Sequence, residues 1–245
     1  MKYQLPIIQE LKAVKNKKEI VNIIRAQRVN EKVLVEAVKK LKVGATEIDL
    51  ARFIVSRFKY YKIKALAFAP IVAFGKNTAD IHHEPSQTSL KKGDWVMLDF
   101  GATVNGYCSD MTRTYILGQP TAKQKKVYNT VLQAQQLAER ALARGVRQAG
   151  KVDAVARKLI NRKFGRFSFG HGLGHGVRMV IHEWPSLRPG SVDVLQPNMV
   201  VTLEPGVYLK GWGGVRIEDM VVVEERGIKN LTRAAKDIMQ IVLKV

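Results

Sequence analysis

At 245 residues the chain can build one large domain or two halves that share a core, and its 46% apolar and 25% charged content is that of an ordinary globular protein. Nothing approaches the roughly 18 apolar residues of a membrane span, the opening MKYQLPIIQELK is no signal peptide, and a lone cysteine, Cys108, excludes an internal disulfide and points to a reducing cytoplasm. The outlier is charge: 41 basic against 21 acidic residues, net +20, a field that attracts RNA, ribosomes or anionic surfaces.

Helical spacing fills the first sixty residues. Leu34, Ala37 and Leu41 continue a helix that begins near the N-cap Asn16 and ends at Gly44. Thr46 caps a second helix, with Asp49 three residues on and an apolar stripe of Ala51, Ile54, Val55 and Phe58. Short β-like runs follow at Leu66 to Phe74 and Asp80 to Glu84. Then comes WVMLDFGATVNGYCSDMTRTY, residues 95–115, whose Asn105-Gly106 pair is the strongest short-range signal for a two-residue hairpin turn. With Val104 opposite Tyr107, counting outward sets Asp110 opposite Gly101. Side chains alternate faces, so Asp99 and Asp110 become diagonal neighbours on one face of the ribbon. Two such acids raise each other's pKa or bind cations. The bland alternative is a turn role, or an ion pair with an arginine such as Arg113.

The second half repeats the order. Thr121 and Gln124 form a capping box, and Val127, Val131, Ala134, Ala138 and Leu142 trace one face of a long helix. A second helix runs from about Val152. Glycine-rich β segments follow from Phe167 to Glu183, then two strands, Met199 to Leu209 and Val215 to Val223, and a last strand from Asp237 to Val245. Helix pair then sheet, twice over, predicts an α+β fold with internal pseudo-symmetry. The basic residues lie mostly on these helices, where a solvated face is the plain explanation.

Two further acids repeat the logic of the first hairpin. A turn centred on Gly211 sets Glu204 across from Glu218, and like charges directly opposite are unfavourable without a cation between them. The alternative is a salt bridge to Arg216, and Pro205 with Gly206 can bulge the strand. Of five histidines, His82, His83, His171, His175 and His182, three lie in FGHGLGHGVRMVIHE. There the glycines leave room for backbone to approach a ligand. His182-Glu183 would need a histidine at 186 to make a zincin helix and finds Ser186. Four carboxylates with an imidazole suit hard or borderline divalent ions, Mn²⁺ first, then Co²⁺, Fe²⁺ or Zn²⁺. Four acids are too many for one small ion, so a two-metal hydrolytic centre fits. Cys108 reads as a small strand residue rather than a nucleophile.

The order Asp, Asp, His, Glu, Glu resembles the "pita-bread" (creatinase/aminopeptidase) metallopeptidases. The wording of FAPIVAFGKNTADIHHEPS, LKKGDWVMLDFGATVNGYCSDMTRTY, FGHGLGHGVRMVIHEWP, VVTLEPGVYL and GGVRIEDMVVV is similar to their Xaa-Pro aminopeptidase and prolidase branch. The resemblance runs from about residue 16 onward. It implies a pseudo-two-fold fold with a curved antiparallel sheet and two helix pairs, residues 1–245 forming a single catalytic domain. It also implies two divalent ions: Asp99 chelates one, Asp110 and Glu218 bridge both, and His175 with Glu204 complete the other shell. Glu204 would move a proton, His82 and His182 would face the substrate and polarise its carbonyl, and His171 would line the pocket. Arg216 would orient the metal carboxylates. The expected reaction is removal of an N-terminal residue ahead of proline, or cleavage of Xaa-Pro dipeptides.

This chain has Gly176-Val177-Arg178-Met179 where the family usually continues Gly-Val-Gly-Leu, so the long cation Arg178 either enters the pocket or points to solvent. The branch also commonly carries an extra N-terminal domain that shapes pocket and oligomer, and this chain begins almost at the catalytic domain. Methionine aminopeptidase is the nearest alternative, set apart by Glu204-Pro205-Gly206 and Arg216-Ile217-Glu218-Asp219. A non-catalytic RNA- or ribosome-binding relative of the same fold is the alternative from another class. Expected partners are therefore peptides, with weak polyanion association through the basic surface, no membrane, and self-association open.

Overall fold

The computed structural model describes residues 12–244; the opening MKYQLPIIQEL and Val245 lie outside them. Among the described residues, each half is built on a 22-residue helix locked by a capping box. In α1 (Lys17–Val38) the Asn16 side chain accepts from the Glu19 backbone while the Glu19 carboxylate accepts from the Asn16 amide. In α3 (Ala122–Ala143) Thr121 and Gln124 do the same. The shorter second helices are α2 (Glu47–Tyr60), capped by Thr46 as expected, and α4 (Ala149–Phe164). Helix α4 starts before Val152, at a Gln148 whose side chain does not cap it.

The first half adds β1 (Ile71–Phe74), β2 (Trp95–Asp99), β3 (Thr103–Val104), β4 (Tyr107–Cys108) and β5 (Thr112–Leu117). Val104 pairs with Tyr107 across Asn105 (φ 52°) and Gly106 (φ 82°), and the same register continues inward until Asp99 lies opposite Thr112. Left-handed φ at both central residues is what this hairpin turn demands, and Asn-Gly supplies it. No residue is gained or lost between turn and acids, so the predicted facing of Asp99 and Asp110 survives.

The second half adds β6 (Gly174–Gly176), β7 (Glu183–Leu187), β8 (Val200–Leu203), β9 (Gly206–Leu209), β10 (Gly213–Arg216), β11 (Asp219–Val223), β12 (Ile228–Asn230) and β13 (Val242–Leu243). The register again centres on Gly211: Leu209 pairs with Gly213, and Leu203 with Asp219.

Several expectations are corrected. The two long strands are each broken in two, at Glu204-Pro205 and at Ile217-Glu218, because Pro205 has no amide for the ladder. Residues 80–84 form one turn and irregular backbone after a 3₁₀ turn, Gly75–Ala79, and α1 ends at Val38 rather than Gly44. The tail contributes only Val242–Leu243, and these run parallel to β5, so the sheet is not antiparallel throughout. The strands fall into four hydrogen-bonded groups: β1-β2-β5-β13, β12-β11-β8-β6-β7, and two small hairpins.

The apolar helix stripes cover these sheets. Ala26, Val33, Leu34 and Ala37 of α1 and Val127, Val131, Ala134 and Ala138 of α3 are buried with Leu98, Phe100, Leu203 and Val215 in one core. Each long helix also sends one buried amide to the strands. Asn30 donates to the Phe100 carbonyl at 2.6 Å, and Gln135 donates to the carbonyls of Leu203 (3.0 Å) and Ile217 (3.1 Å). Asn30 and Gln135 occupy the same place in their helices, and both tie down backbone next to an acid. The pseudo-symmetry is therefore chemical as well as topological.

Candidate metal centre

The strand breaks are where the acids converge. Asp99 ends β2, Asp110 lies between β4 and β5, Glu204 between β8 and β9, and Glu218 between β10 and β11. With His175 in β6 they line a cavity of about 220 Å³ that also touches His82, His182 and Arg216. Ligand atoms of Asp110, His175 and Glu218 lie within 4.8 Å of one another. His175 Nε2 is 3.3 Å from Glu204 Oε1 and 3.6 Å from Asp110 Oδ2. Its Nδ1 lies 3.1 Å from the Gly176 carbonyl, which only accepts, so Nδ1 carries a proton and Nε2 is the nitrogen turned to the acids: protonated it donates to Glu204 Oε1, and deprotonated it offers a lone pair to a cation.

The alternative partners proposed for these acids resolve sharply. Arg113 pairs with Asp219, not with Asp99 or Asp110. Arg216 reaches neither Glu204 nor Glu218; its Nη2 donates to Asp99 Oδ2 at 2.5 Å, its Nε to Thr112 Oγ1 and its Nη1 to the Tyr208 hydroxyl. Thr112 in turn donates to Glu218 Oε2 at 2.7 Å. One oxygen of Asp99 and one of Glu218 are thus held by protein. The other oxygens, Asp99 Oδ1 and Glu218 Oε1, are buried without any hydrogen-bond partner. A buried unpaired carboxylate oxygen is costly, and a divalent ion is the ligand that satisfies it.

Electrostatics agree. Burial, and then the charges of Glu218, Asp99 and Glu204, push the Asp110 carboxyl well above its usual range. Burial with Glu204 and Asp99 does the same to Glu218, and burial raises Asp99 although Arg216 opposes it. Glu204 goes the other way: burial raises it, but the hydrogen bond and charge of protonated His175, the charge that His171 takes on at the acid pH where a carboxyl titrates, and Arg216 bring it to about 2. Four acids that cannot all be ionised together are what a pair of cations would stabilise. The residues present fit such ions.

His82, His171 and His182 lie around this floor. The His182 ring packs on that of His175, centroids 4.4 Å apart, and burial and the His175 charge lower its pKa. His82 lines both this cavity and an adjoining one of about 440 Å³ that holds His171, Trp184 and Arg188. His171 donates from Nδ1 to its neighbour's carbonyl at 2.7 Å and accepts the Tyr208 hydroxyl at 2.7 Å.

Sequence reasoning missed Tyr208, which links His171 to Arg216. It also missed Thr112, and Thr202, which donates to Glu204 Oε1 at 3.2 Å. Gly206 carried the signal for Tyr208: a Cβ there would lie 2.5 Å from the Tyr208 oxygen, so glycine is needed for the ring to fold back over the strand. The glycine-rich stretch needs a correction of the same kind. A Cβ on Gly174 would lie 2.0 Å from the Thr202 carbonyl, and one on Gly176 2.3 Å from that of Trp184, so these glycines admit neighbouring backbone, not a ligand. Arg178 enters neither cavity. It donates to Glu19 at the start of α1 at 2.8 and 2.5 Å, tying the His182 segment to the first helix.

Residues 21–225 match the profile of metallopeptidase family M24. The chain belongs to that family. It is 37% identical to an Xaa-Pro dipeptidase from Pyrococcus furiosus over 95% of its own length and 67% of the relative's. Among solved structures, an X-Pro aminopeptidase from Thermotoga maritima superposes with a TM-score of 0.91 at 34% identity, covering 98% of this chain and 67% of that one. The Pyrococcus furiosus prolidase superposes with a TM-score of 0.90 at 37% identity, covering 94% and 68%. The M24 fold, with its helix pairs and largely antiparallel sheets, is therefore that of the pita-bread peptidases. The chain spans about two thirds of the length of these relatives.

Proposed function

We propose that this M24 chain is a metallo-exopeptidase that cleaves Xaa-Pro bonds at the N-terminus of peptides, with residues 1–245 acting as one catalytic domain. The observation that carries the reading is the convergence of three buried carboxylates, the half-buried Glu204 and His175, with one oxygen of Asp99 and one of Glu218 left without a partner. Asp99, Asp110, His175, Glu204 and Glu218 would hold two divalent ions, Mn²⁺ by the hardness of the donor set. Such ions supply Lewis acidity toward the peptide carbonyl and lower the pKa of water.

The protein's own groups account for the rest. Glu204, held ionised by His175 and steadied by Thr202, is positioned to take a proton and return it to the leaving nitrogen. His82 and His182 reach the same cavity and can donate to a developing oxyanion. Arg216 keeps Asp99 in place and, through Tyr208, fixes His171 on the wall.

The test is side-by-side turnover of Xaa-Pro and Met-Ala peptides by the Mn²⁺-loaded protein. Cleavage of the Xaa-Pro series is expected; turnover of the methionyl peptide alone would assign methionine aminopeptidase activity instead. A weaker second partner is suggested by the acid-free ends of α3 and α4. There Lys123, Lys125, Lys126, Lys158, Arg162 and Lys163 are exposed, and Lys126 Nζ lies 5.9 Å from the Phe164 ring. Single-stranded RNA should bind there with an affinity that falls steeply with salt, and no salt-sensitive binding removes this partner.

A further inference from the structure

His82 approaches the acid-lined cavity from a stretch with almost no regular structure, and it is exposed. Its ring makes no hydrogen bond among the described residues, so its place is set by the backbone that carries it.

The His82 amide itself donates to Asp80 Oδ1 at 3.1 Å, and the backbone on either side is fastened by a second carboxylate. Glu47, the first residue of α2, has a side chain with no exposed surface, and it accepts five hydrogen bonds from the segment around His82. Oε1 takes the Phe74 amide at 2.7 Å and Asn77 Nδ2 at 3.0 Å. Oε2 takes the Ser86 amide at 2.9 Å, the Ser86 hydroxyl at 2.6 Å and His83 Nε2 at 2.8 Å. A carboxylate only accepts here, so His83 must carry its proton on Nε2. The start of a helix favours negative charge, and the hydrogen bonds from Ser86, His83, Asn77 and Phe74 lower the Glu47 pKa although burial raises it. Backbone bonds from Glu47 to Thr88 and from Ile48 to Ser86 seat the same segment on the helix end.

The anchors bracket His82 on both sides, and one of them is its immediate neighbour. We propose that Glu47, acting through His83 and Ser86, is the positioning residue that holds His82 over the cavity. Successive histidines thus have different duties: His82 faces the substrate, and His83 turns back to the anchor. This inference rests on the reading of His82 given above.

The test uses the Mn²⁺-loaded enzyme and an Xaa-Pro peptide, with kcat, KM and metal content measured for H82A, H83A, H83Q and the H82A/H83A pair. H82A is expected to lower kcat about a hundredfold, the scale of losing one oxyanion donor. H83A should lower kcat about tenfold with KM within about threefold and metals retained, and H83Q, which restores a nitrogen donor, should recover most of it. The pair should be no slower than H82A alone, because a misplaced group that is already gone cannot be lost twice. E47Q should follow H83A; if it does not fold, the His83 variants carry the test. A further tenfold loss in the pair, or an H83A enzyme of wild-type kcat, overturns this inference alone. An H82A enzyme with full kcat overturns the role of His82 as well.

Discussion

Glu218 and Asp219 are adjacent and equally buried, yet opposite in electrostatic fate. Asp219 is fully served: Arg113 donates to Oδ1 at 2.6 Å, and Asn230 at 2.8 Å and Lys236 donate to Oδ2. Burial pushes its carboxyl up, but Arg113 and Lys236 overcome that and its pKa falls. Glu218, facing the cavity, has Thr112 on one oxygen and nothing on the other, and its pKa rises. Burial of an acid is therefore no mark of a metal ligand. The oxygen that lacks a protein partner is what sets Glu218 apart as a candidate.

The contrast can be broken at either residue. The largest effect is expected at the cavity: D110A or E218A should lose metal by elemental analysis and at least about a thousandfold in kcat, while H182A keeps the metals and loses kcat. Full metal content in the first two variants would contradict their assignment as ligands. Asp219 should respond in stability instead. D219N leaves Arg113 with a weakened partner and should cost about 3–5 kcal/mol in denaturant unfolding, the scale of a broken buried pair, with metal stoichiometry preserved in the folded protein. If D219N instead releases metal at unchanged stability, the two acids are not separate in the way described.

The smallest effect is a pH slope at Glu47, a third buried acid that the protein satisfies by itself. Its folded-state pKa lies below the unfolded value of about 4.3, so its stabilisation is complete above that pH and fades as pH falls through the folded value. Wild type should lose more stability than E47Q between pH 7 and pH 3, with the two curves parallel above about pH 5. A constant difference throughout would mean that the Glu47 pKa is the same in the folded and unfolded chain.

Much of this was legible in the residues because local rules set it. Asn105-Gly106 and Gly211 fixed two registers by turn chemistry, and Asn16, Thr46 and Thr121 marked helix starts. What escaped depends on partners far apart in the chain. Gln135 sits on an apolar helix stripe, and only the fold reveals that it bonds carbonyls beside both glutamates. Asp80 to Glu84 has strand-like composition, but the Glu47 carboxylate recruits the backbone on either side and no neighbouring strand pairs with it. Val242–Leu243 pairs with β5 from more than a hundred residues away, a parallel match that no local pattern announces.

The unbroken register from the Asn105-Gly106 turn to Asp99 also limits how this protein can change in length. One inserted residue between the turn and Asp110 would carry that carboxylate to the opposite side of the ribbon, and a second would bring it back one step out of place. The connection between β7 and β8 carries no such phase, and insertions there should be absorbed without moving a ligand. Variation in chain length among active relatives should therefore gather in that connection and spare the short span between the two aspartates.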